Sequence, residues 1–230
     1  YGSMVEIGAG QEVARQFFRA GSASGTIAKT MSAYDRNFSD AIYGKESNGR
    51  YVCESRLMNM INHEYKLLED RLNPNENPDR RYFALANTVT TINYEKTNKG
   101  HGWVGVRFQK TPNENYNDII LHVNLHDQDS SLQQETIGIL GTNLLFACFY
   151  CNEPREILEI YHSQDVKNDK YNQKDYFIWS MCASNDGGGL LRPNGDRRER
   201  FDKDKSFLNF ITQKDKSKIQ FFIVLDIEAV

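Results

Sequence analysis

The segment "GSASGTIAKT", residues 21–30, contains the residue types of a phosphate-binding loop. Its glycines permit close backbone approach, and Lys29 supplies a cation. A Walker loop, however, requires Gly-x-x-x-x-Gly-Lys-Ser/Thr directly after a strand. Here Lys29 lies four residues after Gly25, and the preceding segment has a helical pattern. Two interpretations therefore stay open: a weaker anion site at Gly25 and Lys29, and a tight corner between two helices.

The corner interpretation makes specific predictions. Apolar side chains recur at helical spacing through Ile27, Met31 and Tyr34, which predicts a helix that begins near residues 22–24 and runs to about residue 42. We then expect Gly25→Leu to destabilise the chain by steric clash. Lys29→Ala should cost little unless Lys29 pairs with a partner elsewhere.

Histidine and arginine residues on the predicted strands are the other candidates for chemistry. His101 lies between two glycines in "GHGW", where it could be a general base or part of a simple hairpin turn. Together with Lys29 and Gly25, His101 and Arg107 could surround an anionic ligand. His122 and His126 could share a metal, but a solvent-facing side of a sheet explains the same alternation, and no metal site is predicted.

The chain has four cysteines, too few for a disulfide-built fold, which indicates a reducing compartment. Cys148 and Cys151 form a Cys-x-x-Cys pair at the end of an apolar helix. Because the dipole at a helix C-terminus disfavours a thiolate there, we predict that both thiols are reduced, buried and without metal.

Composition excludes several classes of function. The net charge of −3 gives no basic field for nucleic acid or for an anionic membrane. The most apolar run, residues 137–150, is shorter than the roughly 20 residues that span a bilayer. We therefore expect a soluble protein of the cytoplasm or of an organelle interior, and no cofactor is predicted.

The hydrophobic periods predict an α+β fold with N-terminal helices, an antiparallel sheet of three or more strands, and a central apolar helix packed on it. Three adjacent strands are predicted within residues 82–125, and a capping box at Ser131 predicts the start of the central helix. Residues 1–152 should form the core domain. Residues 153–230 should form an irregular extension with one or two strands that could complete the sheet.

The words "MVEIGAGQEVARQFF", "SGTIAKTMSAYD", "GHGWVGVRFQ" and "GILGTNLLFACFY" resemble an uncharacterised protein family over residues 4–150. Its members often carry the labels nicotinate-nucleotide adenylyltransferase or outer-membrane receptor. The first label requires a His-x-Gly-His loop, and residues 100–102 supply one histidine. The second requires many more alternating strands than this sequence offers. The resemblance therefore implies no site residues.

No complete catalytic set emerges from these residues. The sequence therefore favours a non-enzymatic accessory or interaction protein, a peripheral subunit of a larger organellar assembly. The alternative is a small-molecule enzyme or ligand sensor that binds an anionic or nucleotide-like ligand near Lys29, His101 and Arg107.

Overall fold

The computed structural model of the chain describes residues 1–21, 23–72, 77–151, 176–182 and 220–229, the last two ranges as backbone. These ranges contain four helices and seven strands. The helices are α1 (Glu12–Ala20), α2 (Arg36–Tyr43), α3 (Glu54–Arg71) and α4 (Ser130–Tyr150). The strands are β1 (Gly2–Ile7), β2 (Ile27–Met31), β3 (Phe83–Thr90), β4 (Gly100–Phe108), β5 (Asn117–Leu125), β6 (Tyr176–Cys182) and β7 (Gln220–Ala229).

All seven strands belong to one sheet in the order β2-β1-β3-β4-β5-β7-β6. The β1–β2, β1–β3 and β5–β7 pairs are parallel, whereas β3–β4, β4–β5 and β6–β7 are antiparallel. The α+β class is therefore confirmed, as are the three adjacent antiparallel strands within residues 82–125. The prediction of a wholly antiparallel sheet is wrong, because the sheet is mixed.

Helices cover both faces of this sheet. Helices α1 and α4 pack on one face, where Val13 and Ile137 join the larger apolar core. Helices α2 and α3 pack on the other face, where Tyr43 and Leu57 join a second core. Two connections join parallel strands here: α1 leads from β1 to β2, and α2 with α3 leads from β2 to β3. Both connections must be right-handed, and they run in opposite directions across the sheet because β2 and β3 lie on opposite sides of β1. Their helices are therefore expected on opposite faces.

The central helix α4 packs on the apolar face of β3, β4 and β5, as predicted. Its cap differs from the prediction. The Asp129 side chain accepts hydrogen bonds from the backbone N–H groups of Ser131 and Leu132 at 2.7 and 3.1 Å. The N-cap thus lies two residues before the predicted one at Ser131.

The predicted helix over residues 22–42 is wrong. Ile27–Met31 is instead the edge strand β2, and α2 begins at Arg36 after Asp35, whose side chain accepts a hydrogen bond from Phe38 N at 2.8 Å. A spacing of four residues fits one face of a strand as well as one face of a helix, so Ile27 and Met31 did not distinguish the two.

The predicted strands near residues 176–183 and 219–227 correspond to β6 and β7. Two helices that the sequence suggests, at residues 154–162 and 206–213, lie outside the described residues. The division into domains at residue 152 stays a prediction. No helix in the described part of the chain is long and apolar enough to span a bilayer.

Two glycines with left-handed backbone angles have different surroundings. A Cβ on Gly8, at φ +100°, would lie 1.8 Å from the Val89 carbonyl oxygen, whereas a Cβ on Gly25, at φ +73°, meets nothing within 4 Å. The expected steric clash at Gly25 is therefore wrong, and only its backbone angle opposes substitution.

We predict that Gly8→Ala lowers the free energy of unfolding by about 3 kcal/mol or more, since strain adds to overlap with β3. Gly25→Ala should cost about 1–2 kcal/mol from its backbone angle alone. Urea unfolding of both variants measures the difference. Equal losses at the two positions would contradict this account.

Candidate functional site

The strands β1, β3 and β5 run in one direction and end at Ile7, Thr90 and Leu125. Strand β4 starts at the same end, at Gly100. We call this end of the sheet the carboxyl edge. The chain leaves β1 toward β2 on one side and returns to β3 on the other, so the strand order reverses at β1. In open α/β sheets, ligands bind outside the carboxyl ends of strands at such a switch point.

Glu6 holds the first turn of α1 against β1 and β3. Its carboxylate accepts hydrogen bonds from Val13 N at 3.0 Å, Ala14 N at 2.9 Å and Asn87 Nδ2 at 2.7 Å. Glu6 is 1% exposed. Burial raises the pKa of this carboxyl above its ordinary value, although the three hydrogen bonds oppose the shift.

The hydrogen bonds to Glu6 make the first turn of α1 unsuitable for binding an anion. The turn between β1 and α1 is short and glycine-rich, with Gly8 and Gly10 both exposed and both at positive φ. In a dinucleotide-binding unit, the N–H groups that follow such a turn hold a pyrophosphate. Here Glu6 occupies the N–H groups of Val13 and Ala14, and its negative charge disfavours an anion at that helix end.

Three aromatic side chains cluster on the α3 face of the sheet near the carboxyl edge. His101 and Trp103 lie on β4, and His122 lies opposite Trp103 on β5. The rings of Trp103 and His122 are 4.6 Å apart at an angle of 39°, and those of His101 and His122 are 6.0 Å apart. All three side chains are half-buried. We call this group the imidazole–indole cluster.

His101 is the cluster member closest to the carboxyl edge. Its register partners are Thr90 on β3 and Asn124 on β5, both half-buried. Burial lowers the pKa of the His101 imidazole. Burial therefore favours the neutral form of the ring, which has one nitrogen that can accept a hydrogen bond or a proton.

The structure does not bring the four predicted site residues together. Lys29, Ser3, Ala84 and Arg107 form one register row across β2, β1, β3 and β4. His101 is six residues from Arg107 along β4, about 20 Å at 3.3 Å per residue. Gly25 precedes β2, at the opposite end of the sheet from His101.

Lys29 and Arg107 are each engaged by a buried carboxylate. The Lys29 ammonium lies 2.6 Å from Glu64 Oε2, and Glu64 also accepts a hydrogen bond from the Tyr43 hydroxyl at 3.0 Å. Arg107 donates two hydrogen bonds of 2.7 Å to Asp118. The first ion pair attaches α3 to β2 and the second joins β4 to β5, so both cations have structural partners.

The surroundings of Arg107 leave little of its guanidinium for a ligand. Its third hydrogen bond, 2.7 Å long, goes to Asn62 Oδ1. The Tyr116 ring lies 3.9 Å from its central carbon, and the residue is 7% exposed. Arg107 therefore has the environment of a buried structural cation.

The other sequence candidates have clear positions. Among the described residues, no group of three or more histidine, cysteine or acidic side chains could hold a metal. Cys148 is buried, and burial raises the pKa of its thiol, whereas Cys151 is half-buried rather than buried as predicted. Neither cysteine forms a disulfide in the described part of the chain.

Sequence reasoning missed Glu6, Asn87 and the grouping of Trp103 with His122. A charged residue inside the apolar run "MVEIGAG", directly before a glycine-rich turn, was the available signal for Glu6. The pairing of Trp103 with His122 follows from strand register, which the sequence does not specify by itself.

No family model and no curated protein matches this chain. Solved structures with a similar arrangement include the competence damage-inducible protein A (ComA) from Klebsiella pneumoniae, at 10% identity and TM-score 0.42, which covers 63% of this chain and 83% of that one. Another is the competence/damage inducible protein CihA from Agrobacterium tumefaciens, at 18% identity and TM-score 0.42, covering 64% and 84%. A CinA superfamily protein from Klebsiella pneumoniae 700603, at 9% identity and TM-score 0.42, covers 70% and 88%.

The prediction of a non-enzymatic accessory subunit of an organellar assembly is wrong. The solved structures with a similar arrangement are those of competence- or damage-inducible proteins, and none of their names describes a subunit of a larger assembly. The alternative, a small-molecule enzyme or ligand sensor, stays a proposal.

We predict that Lys29→Met lowers the free energy of unfolding by about 2 kcal/mol, because it leaves the buried Glu64 carboxylate without its counter-ion. Adding Glu64→Gln should recover part of the loss. The exposed Lys66 of α3 gives the matched control, Lys66→Met, which should have little effect. A negligible loss in Lys29→Met would contradict a structural role for the pair.

The raised pKa of Glu6 predicts a pH dependence of stability. The folded chain holds this proton more tightly than the unfolded chain does. The contribution of Glu6 to stability is therefore largest below its ordinary pKa of 4.5 and falls as the pH rises through the higher folded pKa. Urea unfolding at several pH values should show this decline in the natural chain, and Glu6→Gln should flatten it. An unchanged slope in Glu6→Gln would contradict the assignment.

Proposed function

We propose that this chain binds a small planar polar molecule at the carboxyl edge, with the imidazole–indole cluster as the recognition surface. The observation that carries the proposal is the position of His101 on β4 at the carboxyl edge, beside Thr90 of β3 and Asn124 of β5 and two strands from the reversal of strand order at β1. A ligand at this end would contact side chains from β3, β4 and β5.

The cluster supplies two kinds of interaction. Trp103 offers a half-exposed aromatic surface on which a ring can stack, a contact worth about 1–3 kcal/mol for a nucleobase. His101 offers a hydrogen-bond acceptor to an N–H or O–H group of the ligand. An imidazole that accepts a hydrogen bond from a substrate can also accept its proton, which is the step that an enzyme of this type would need.

The charge distribution argues for a ligand whose ring and hydrogen-bonding groups, rather than a phosphate, determine binding. Lys29 and Arg107 are paired with buried carboxylates. Glu6 adds a carboxyl group at the start of α1. The ligand proposed for this site therefore needs no anionic group.

Trp103 provides the test, because the chain has two tryptophans and Trp179→Phe leaves Trp103 as the sole indole emitter. In that background we expect adenine, adenosine and AMP, titrated separately, to include a compound that quenches Trp103 fluorescence saturably. Adenosine and AMP should bind with similar affinity, because the cluster includes no cation.

His101→Gln should weaken that binding about tenfold, the value of one good hydrogen bond to a buried site. The matched control is His63→Gln, at an exposed histidine of α3, which should leave affinity unchanged. Because burial lowers the His101 pKa, affinity should fall as the imidazole becomes protonated, and this fall should begin at a lower pH than for an exposed histidine. No saturable quenching by any of the three compounds, or quenching by AMP alone, would contradict the proposal.

A further inference from the structure

A cavity lies at the opposite end of the sheet from the carboxyl edge. It forms where α1 and α4 end and where β2 and β3 begin, and its volume is about 910 Å³. Small-molecule sites in proteins commonly enclose about 300–1,000 Å³. We call this cavity the amino-edge pocket.

Aromatic side chains form the walls of the amino-edge pocket. Phe83 is buried at the base, and the Phe149 ring packs against it edge-on at 5.9 Å between centroids. At the rim, Phe146 and Tyr150 stack at 4.4 Å with 16° between their planes, although they are 53% and 72% exposed. Exposed stacked rings beside a concave apolar surface are suited to contact a planar ligand.

Two guanidinium groups lie beside these rings. Arg80 and Arg81 both line the pocket, and the Arg81 guanidinium carbon lies 5.1 Å from the Phe149 ring centre. Neither arginine forms an ion pair with a carboxylate of the described residues, although Asp79 also lines the pocket. The two guanidinium groups and the one carboxylate together give these three side chains a net positive charge.

The carbonyl groups at the end of α4 bind a different cation from Arg80 and Arg81. Its carbonyl groups at Phe149 and Cys151 accept hydrogen bonds from the Lys110 ammonium, which satisfies the negative end of the helix dipole. Arg81 donates one hydrogen bond, to the Lys110 carbonyl oxygen at 3.3 Å. A guanidinium has five N–H donors, so Arg80 and Arg81 retain donors for an anionic group.

We infer that the amino-edge pocket is a second binding site, one that takes a planar aromatic compound with an anionic substituent. The rings of Phe83, Phe149 and Phe146 contact its aromatic part. Arg80 and Arg81 bind its phosphate, carboxylate or sulfonate through charge-assisted hydrogen bonds. This site is separate from the imidazole–indole cluster and does not depend on the function proposed for it.

Two probes that differ in one charged group test the inference. The first is 8-anilinonaphthalene-1-sulfonate, an aromatic anion, and the second is N-phenyl-1-naphthylamine, which has the same rings without the sulfonate. We expect saturable binding of one molecule of the sulfonate per chain. Arg80→Gln combined with Arg81→Gln should weaken the sulfonate about tenfold and change the neutral probe less than twofold, since it removes charged donors and keeps the walls.

Ala20→Trp supplies the complementary variant. Ala20 is an exposed residue of the last turn of α1 that lines the pocket, so a tryptophan there should narrow the cavity and weaken both probes. Arg15→Gln removes a guanidinium elsewhere on α1 and should change neither affinity. Arg80→Lys combined with Arg81→Lys keeps the charges and should retain most sulfonate binding.

Several results would overturn the inference. They are no saturable sulfonate binding, equal sulfonate affinity in the double glutamine variant, and unchanged binding of both probes in Ala20→Trp. Near-ultraviolet circular dichroism must match the natural chain for each variant, and the lysine pair replaces the glutamine pair if the latter fails to fold. With the lysine pair, loss of the neutral probe would also overturn the inference. The glutamine pair should leave Trp103 quenching unchanged, which separates this site from the proposed function.

Discussion

The position of α1 depends on one buried carboxylate. Glu6 lies on β1 and binds the N–H groups of Val13 and Ala14 together with the Asn87 amide of β3. A buried charge of this kind is tolerated only when hydrogen bonds satisfy it, so the three elements must keep this geometry. The glycine turn between β1 and α1 follows from it, because the chain must reverse within a few residues while Gly8 passes within contact distance of β3. Glu6 thus fixes how β1, α1 and β3 are arranged at the carboxyl edge.

The remaining strong charges divide the molecule into structural and recognition regions. Lys29, Arg107 and Asp118 lie in one register row near the start of β1 and β3. The ion pair of Lys29 with Glu64 attaches α3 to β2, and that of Arg107 with Asp118 joins β4 to β5. Breaking such a pair leaves an uncompensated charge, which makes these cations poor candidates for reversible binding. The imidazole–indole cluster at the other end has polar and aromatic groups that are only half-buried. Recognition is therefore proposed at the imidazole–indole cluster, away from the Lys29 and Arg107 ion pairs.

Sequence periodicity predicted the strongly patterned parts of this fold. The helix α3, the strands β3 to β5 and the apolar helix α4 each have many residues that agree with one period. β1 is buried along its whole length and shows no alternation, and β2 is short with a spacing that fits helix and strand equally. Their parallel pairing to each other depends on contacts across the chain, which local patterns do not contain. Local patterns also do not give the strand register. The sequence therefore suggested one site for Lys29, His101 and Arg107, although the register places His101 at the other end of the sheet.

The central claim is that ligands are recognised at the carboxyl edge rather than along the ion-pair row. Backbone amide chemical shifts in an isotope-labelled chain, recorded with and without saturating adenosine, locate binding residue by residue. The account predicts that the shifts which change cluster at Thr90, at Gly100–Trp103 and at His122–Asn124, while those of Ser3, Lys29 and Arg107 stay constant. Changes confined to the row of Ser3, Lys29 and Arg107, or no changes at the carboxyl edge, would contradict it.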